Sequence, residues 1–290
     1  MQLGTFTILS DLTEQEQQVV RLAWRGANNS ADHQLCFKSD FPVGAGILAT
    51  NDSGESKEFC GCNVENAWFP PTICAERNAA TTAALEGYKH FQIVAVLCRK
   101  YPGGSPCGLC RQVLLQFGPE AVLLNIVDRE SNVRRALVGD LLPAAQGKAV
   151  PYDHLSEAEQ KLVRRVVSLK SRSHVPYSKT PRAALFIASN DKGHQRIFNG
   201  VSDDNASYGG SALAEAVAMR TARTAGYSQK VQLIATVNDP SAVNQIEGEC
   251  LQVLREFGAD APILLVGPDR SVVTTTLVEL LPDSFGPEAL

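Results

Sequence analysis

Long apolar runs are missing from this 290-residue chain. No stretch approaches the ~18 residues that a membrane-spanning helix needs, and the opening MQLGTFTILSDLTEQ lacks the basic start and apolar core of a secretory signal. Blocks of one charge are missing too. The 27 basic and 31 acidic residues are spread evenly to a net charge of −4, which weighs against long polyanionic partners; the densest basic stretch, Lys161 to Arg172, reads as the solvated face of a helix. The five histidines fall in no ligand or triad spacing, and no phosphate-binding glycine loop is present, so triad hydrolases and nucleoside-triphosphate enzymes are not supported. What remains is a cytoplasmic globular protein with neither membrane nor nucleic acid as a partner. Its 44% hydrophobic and 20% charged residues suit buried cores, and its length suits two domains.

The chain repeats itself. LTEQEQQVVRLA at 12–23 answers LSEAEQKLVRRV at 155–166, each with a Ser or Thr followed three positions later by Glu, the capping box of an amphipathic helix. NAWFPPTICAERNAATTAALEGY at 66–88 answers NASYGGSALAEAVAMRTARTAGY at 205–227, CRQVLLQFG at 110–118 answers CLQVLREFG at 250–258, and DLLP at 140–143 answers ELLP at 279–282. Offsets of 139 to 143 positions across the half-length mean duplication. In the first copy GAGILAT and KEFCGCN read as strands split by the turn-rich NDSGES, FQIVAVLC and AVLLNIVD read as buried strands, and 74–86 and 107–117 as helices. The fold class is therefore α/β, in two tandem α/β/α layered domains spanning 1–147 and 148–290, with the join near AAQGKAVPYDH.

Eight cysteines in a reducing compartment point to metal rather than to disulfides. Cys74 sits at the head of one helix, and Cys107 and Cys110 form PCGLC at the head of the next. Helix heads present unpaired N–H groups and partial positive charge, which favour thiolates. Three thiolates could thus converge on one zinc. A structural zinc closes its shell with four protein ligands, whereas a catalytic one keeps a position for water. Cys98, Cys60 and Cys62 are conceivable fourth ligands, although each also reads as a small buried thiol on a strand. Glu76, two residues after Cys74, lies near the metal on another side of the helix. A carboxylate there can move protons; standing alone, it reads equally as a glutamate favoured by the helix dipole.

C-A-E followed by P-C-x-x-C is the zinc-deaminase signature in its three-cysteine form. With FPVGAGIL, GCNVENAWFPPTICAERNA, EGY and SPCGLCRQVLLQFG, residues 12 to 143 resemble the nucleoside cytidine deaminase family. That resemblance implies one Zn²⁺ per chain on Cys74, Cys107 and Cys110, and hydrolytic deamination of cytidine and 2'-deoxycytidine in pyrimidine salvage by zinc-bound hydroxide, with Glu76 as proton shuttle. It implies substrate contacts from Phe41, Asn63, Glu65 and Ala75. Three thiolates leave the zinc site with a charge of −1, which Arg77 would offset by donating to sulfur.

In the second copy Leu213 replaces Cys74 and Glu247 replaces Cys107, leaving Glu215 and Cys250; one thiolate does not hold a catalytic zinc. The second domain would be inert, structural and pocket-completing. Family members of one domain assemble as tetramers and borrow an aromatic from a C-terminal LLPxxFGP segment. Here that segment ends the second copy, so Phe285, together with Tyr208, would be lent to a neighbouring pocket, and a homodimer would replace the tetramer. The competing readings are a deaminase of cytosine in RNA or DNA and a non-catalytic zinc-stabilised assembly protein.

Overall fold

Each copy begins with the capping box its sequence announces. Thr13 Oγ1 accepts from the Glu16 amide and the Glu16 carboxylate accepts from the Thr13 amide, while Ser156 and Glu159 repeat the exchange. These caps satisfy amides that have no partner inside the helix. They start α1 (Glu14–Asp32) and α4 (Glu157–Leu169).

The structure is a computed structural model that describes residues 4–128, 132–239, 242, 245–258 and 262–289. The first unit contains β1 (Thr5–Ile8), α1, β2 (Val43–Thr50), β3 (Ser56–Cys62), α2 (Ala75–Leu85), β4 (His90–Cys98), α3 (Gly108–Phe117), β5 (Val122–Ile126) and β6 (Asn132–Leu137). Its strands lie in the order β1-β6-β5-β4-β2-β3, with β4 and β5 parallel and the other pairs antiparallel. The second unit contains α4, β7 (Ala183–Ser189), β8 (Gln195–Val201), α5 (Ala214–Thr224), β9 (Gln229–Thr236), α6 (Gly248–Arg255), β10 (Pro262–Val266), β11 (Val272–Thr276) and the short α7 (Leu277–Leu280). Its sheet runs β11-β10-β9-β7-β8, the same order without an outer strand, and again one pair, β9 with β10, is parallel. Gly44 faces Cys62 across β2 and β3 where Ala183 faces Val201 across β7 and β8, so the duplication holds residue by residue.

Alternation along the strands builds the layers of the first unit. Ala45, Ile47, Val94 and Val96 face α2 and α3, whereas Leu48, Ile93, Ala95 and Leu97 face Val19, Val20 and Ala23 of α1. A period of two feeds two opposite cores from one strand. Gly61 brings α2 close to the sheet: a Cβ there would stand 2.2 Å from the Ala75 carbonyl oxygen, and at the equivalent Gly200 2.0 Å from that of Ala214. That approach places the heads of α2 and α5. Among the described residues no helix is long and apolar enough to cross a membrane.

The two compact units do not divide at 147. The first comprises residues up to Leu142 together with the segment from Pro282 onward, and the second runs from Pro143 to Leu281. Set beside the expected spans 1–147 and 148–290, the tails that follow the two LLP motifs are exchanged between the units. The reason is a set of charges that differ between the copies. Arg111, fully buried, donates to the carbonyl oxygens of Pro282 at 2.7 Å and Asp283 at 3.3 Å, and Arg134 pairs with the Asp283 carboxylate at 2.7 Å. The corresponding positions of the second copy are Leu251, Val273 and, for Asp283, Ala144 in the first tail. Only the later tail carries the carboxylate that the arginines require. The edge strand β1, which pairs with β6, was not foreseen either; its mostly exposed residues carry no alternation to reveal it.

Candidate active site

Cys74 is the N-cap of α2 and Cys107 that of α3, and Cys110 lies in the first turn of α3. The two helices pack side by side on one face of the sheet, with Ala75 and Leu114 in the same core, so their heads and three sulfurs meet. The Sγ atoms of Cys74 and Cys107 are 3.8 Å apart, those of Cys107 and Cys110 are 3.3 Å apart, and all three lie within 4.8 Å of one another. Tetrahedral zinc with Zn–S bonds of about 2.3 Å needs sulfurs separated by roughly 3.8 Å. The three residues therefore fit a zinc ion. Bonds from Cys107 and then Cys110, reinforced by the charge of Arg77, hold the Cys74 thiol well below its ordinary range, the direction that favours a metal-binding thiolate. Burial pushes Cys110 up.

The fourth-ligand candidates lie elsewhere. Cys60 donates to the Leu22 carbonyl of α1, and neither Cys60, Cys62 nor Cys98 joins the three-sulfur cluster among the described residues. Cys98 instead lines the pocket as a thiol that burial pushes up. A three-cysteine shell leaves a coordination position for a non-protein ligand.

The pocket before this cluster has a volume of about 170 Å³. Glu76 lines it and is 4% exposed; burial first, and the Cys74 charge second, push its carboxyl up to about 7. Phe41 forms part of the wall. Asn63 Oδ1 accepts from Ser30 Oγ at 2.7 Å and the Val43 amide at 2.9 Å, while its Nδ2 donates to the Phe41 carbonyl at 2.9 Å, so this side chain sets the position of the wall. Glu65 is held in place by the Lys38 amide at 2.6 Å, the Ser39 amide at 3.1 Å and the Ser39 hydroxyl. Arg77 Nη2 donates to the Thr72 carbonyl at 3.0 Å and reaches Cys74 Sγ at 3.7 Å. Ala75 is completely buried against Gly61 and is not among the residues lining the pocket.

Phe285 lines this same pocket, carried there by the tail that belongs to the first unit. The aromatic is thus supplied within the chain and unit that hold the cysteines. Tyr208 lies in the second unit, on the rim of that unit's own cleft, its ring centroid 6.2 Å from that of Tyr177. Sequence reasoning missed Tyr101 and Ser105 in the pocket lining and the arginines that tether the tail. Comparing the copies position by position would have singled out Arg111, which has leucine as its counterpart.

In the second unit Glu215, Glu247 and Cys250 converge as their counterparts do, but around a guanidinium. Arg182, at the position of Val43, forms ion pairs with Glu215 at 3.0 Å and with Glu247, and donates to the Gln245 carbonyl at 2.7 Å.

The cytidine and deoxycytidylate deaminase zinc-binding region matches residues 13–126. A cytidine deaminase of Sporosarcina psychrophila is 36% identical over 110 residues, covering 38% of this chain and 78% of the relative. A probable cytidine deaminase of Dictyostelium discoideum is 38% identical over 135 residues, covering 46% of this chain and 86% of the relative. A crystal structure of cytidine deaminase from Burkholderia pseudomallei aligns at 35% identity with 46% of this chain and 98% of its own, with a TM-score of 0.38.

Proposed function

The chain belongs to the cytidine deaminase family, and from that premise we propose that its first unit hydrolyses cytidine and 2'-deoxycytidine to the corresponding uridines and ammonia. The observation that carries this reading is the convergence of three cysteine sulfurs and one buried carboxyl on a single pocket. Cys74, Cys107 and Cys110 would hold zinc, a Lewis acid that makes water nucleophilic at neutral pH when bound.

The residues of the chain do the rest. Glu76 takes a proton from the attacking water, gives it to ring N3, and then carries the second water proton to the departing amino nitrogen, so that ammonia leaves and the product keeps its N3–H. Glu65, held by two amides and a hydroxyl, is set to accept from a ribose hydroxyl. Asn63 positions the Phe41 wall, and Phe285 adds a second aromatic to the lining. Arg77 withdraws charge from Cys74 sulfur. A pocket of about 170 Å³ and a net charge of −4 favour a free nucleoside over a cytosine within RNA or DNA.

The second unit, with Leu213 in the place of Cys74, performs no deamination. Free cysteines throughout the chain suit a reducing compartment such as the cytoplasm. Trp68 and Phe69, 81% and 65% exposed on the segment that leads into the pocket at Thr72, offer an apolar surface to a second copy, and we place the chain in a homodimer.

The test is ammonia release from cytidine, deoxycytidine and a cytosine-containing oligonucleotide by the wild type and Glu76→Gln, with bound zinc quantified in both. Release from the nucleosides alone, lost in the variant at unchanged zinc content, is expected. Zinc without release from any substrate would leave an assembly protein, and release from the oligonucleotide would move the substrate class.

A further inference from the structure

The second unit contains a cleft of about 640 Å³, within the size range of small-molecule sites. It keeps a cradled carboxylate. Asp204 stands where Glu65 does, and its Oδ2 accepts from the Tyr177 amide at 3.0 Å and the Ser178 amide at 2.7 Å while Oδ1 accepts from Ser178 Oγ at 3.0 Å. The loop thus repeats, donor for donor, the Lys38–Ser39 grip on Glu65. Tyr177 and Tyr208 meet edge to face on the rim.

Gln245 lines the cleft and is 7% exposed, yet among the described residues neither Nε2 nor Oε1 of its amide has a hydrogen-bond partner. Glu247 Oε2, on the same wall, has none either. Buried polar groups are satisfied as a rule, and an unmade bond costs about 1–3 kcal/mol. A primary amide is satisfied by a group that presents a donor beside an acceptor, as the N3–H and carbonyl of uracil do, and the N3 and amino group of cytosine. The ordinary cation of this region is already committed, because Arg182 is held by Glu215 and Glu247. With Asp204, Asp239 and Glu247 around the cleft, a phosphorylated ligand is disfavoured.

We propose that the cleft of the second unit is a non-catalytic binding site for a pyrimidine nucleoside, with the ribose hydroxyls on Asp204 and the base edge on Gln245. The choice of ligand class rests on the deaminase reading of the first unit; the existence of the site rests on Asp204 and Gln245. Arg182 occupies the position from which chemistry would start, so a nucleoside bound here stays intact.

The experiment titrates uridine calorimetrically into the full zinc-loaded chain, which does not turn uridine over, with adenosine as a control. Two sites per chain are expected, one of them weakened at least tenfold by Gln245→Met and by Asp204→Asn, with kcat and KM for cytidine unchanged. Two variants of different chemistry, each checked for an unchanged unfolding temperature, separate loss of the site from loss of the fold. Uridine binding that neither variant alters, or no uridine binding, overturns the proposal, as does adenosine binding equally well at the site. Absence of ammonia release from cytidine would instead overturn the reading of the first unit, whatever the number of uridine sites.

Discussion

Arg134 and Asp283 lie 149 positions apart and meet as an ion pair at 2.7 Å, the arginine side chain 6% and the aspartate 16% exposed. Two residues after that aspartate, Phe285 enters the pocket of Glu76. Asp283→Ala leaves a buried guanidinium without its counter-charge, a change that destabilises by about 3–5 kcal/mol, and it frees the tail. The expected result is a KM for cytidine raised about tenfold together with a lower unfolding temperature. Phe285→Ala should raise KM as much with a smaller thermal effect. If Asp283→Ala lowers the unfolding temperature and leaves KM untouched, the tail is structural and Phe285 is no wall of the site.

Arg77 is bonded through one guanidinium nitrogen to the Cys74 sulfur and to the Thr72 carbonyl oxygen. A hydrogen bond involving a charged group contributes about 1.5–3 kcal/mol, so Arg77→Ala should lower kcat roughly ten- to a hundredfold while zinc content stays at one per chain. Cys107→Ala should instead remove zinc and activity together. Metal analysis beside steady-state kinetics separates the two, and full activity in Arg77→Ala would remove that residue from the mechanism.

The capping carboxylates set a pH dependence. Bonds from the Ser156 hydroxyl and then its amide hold Glu159 below the usual range for a glutamate. A depressed acid contributes stability that is complete above its unfolded pKa of about 4.3 and is lost as pH falls through the lower folded value. Between pH 7 and pH 3 the unfolding temperature should therefore fall further for the wild type than for Glu159→Ala. Equal slopes would show that the cap adds no proton-linked stability.

Much of this was legible in the sequence. The helices over 74–86 and 107–117 appear as Ala75–Leu85 and Gly108–Phe117, each preceded by its cysteine cap, because cap chemistry and strand alternation are local signals. The three sulfurs and Glu76 were legible for the same reason: they sit at helix heads whose positions the strands dictate. The exchange of the tails was not. It depends on Arg111 finding the carbonyl of Pro282, 171 residues away, and no periodicity records such a contact. Arg182 escaped in a similar way. In sequence it is a basic residue at the start of a strand, and only the fold shows the buried Glu215 and the half-buried Glu247 closing on it.

That arginine allows the history of the second unit to be tested. Counting thiolates alone, Leu213→Cys with Glu247→Cys would return three sulfurs to the head of α5 and α6 beside Cys250. The guanidinium of Arg182 would still stand there, 3.0 Å from Glu215, and a second cation would be repelled at close range. The double variant should therefore keep one zinc per chain. Adding Arg182→Val, which restores the residue found at Val43, removes the resident charge and should raise the content to two. Metal analysis of the purified chains decides it: two zinc ions in the double variant would show that Arg182 is a bystander, and one in the triple would show that sulfur placement, rather than charge, was lost in the second copy.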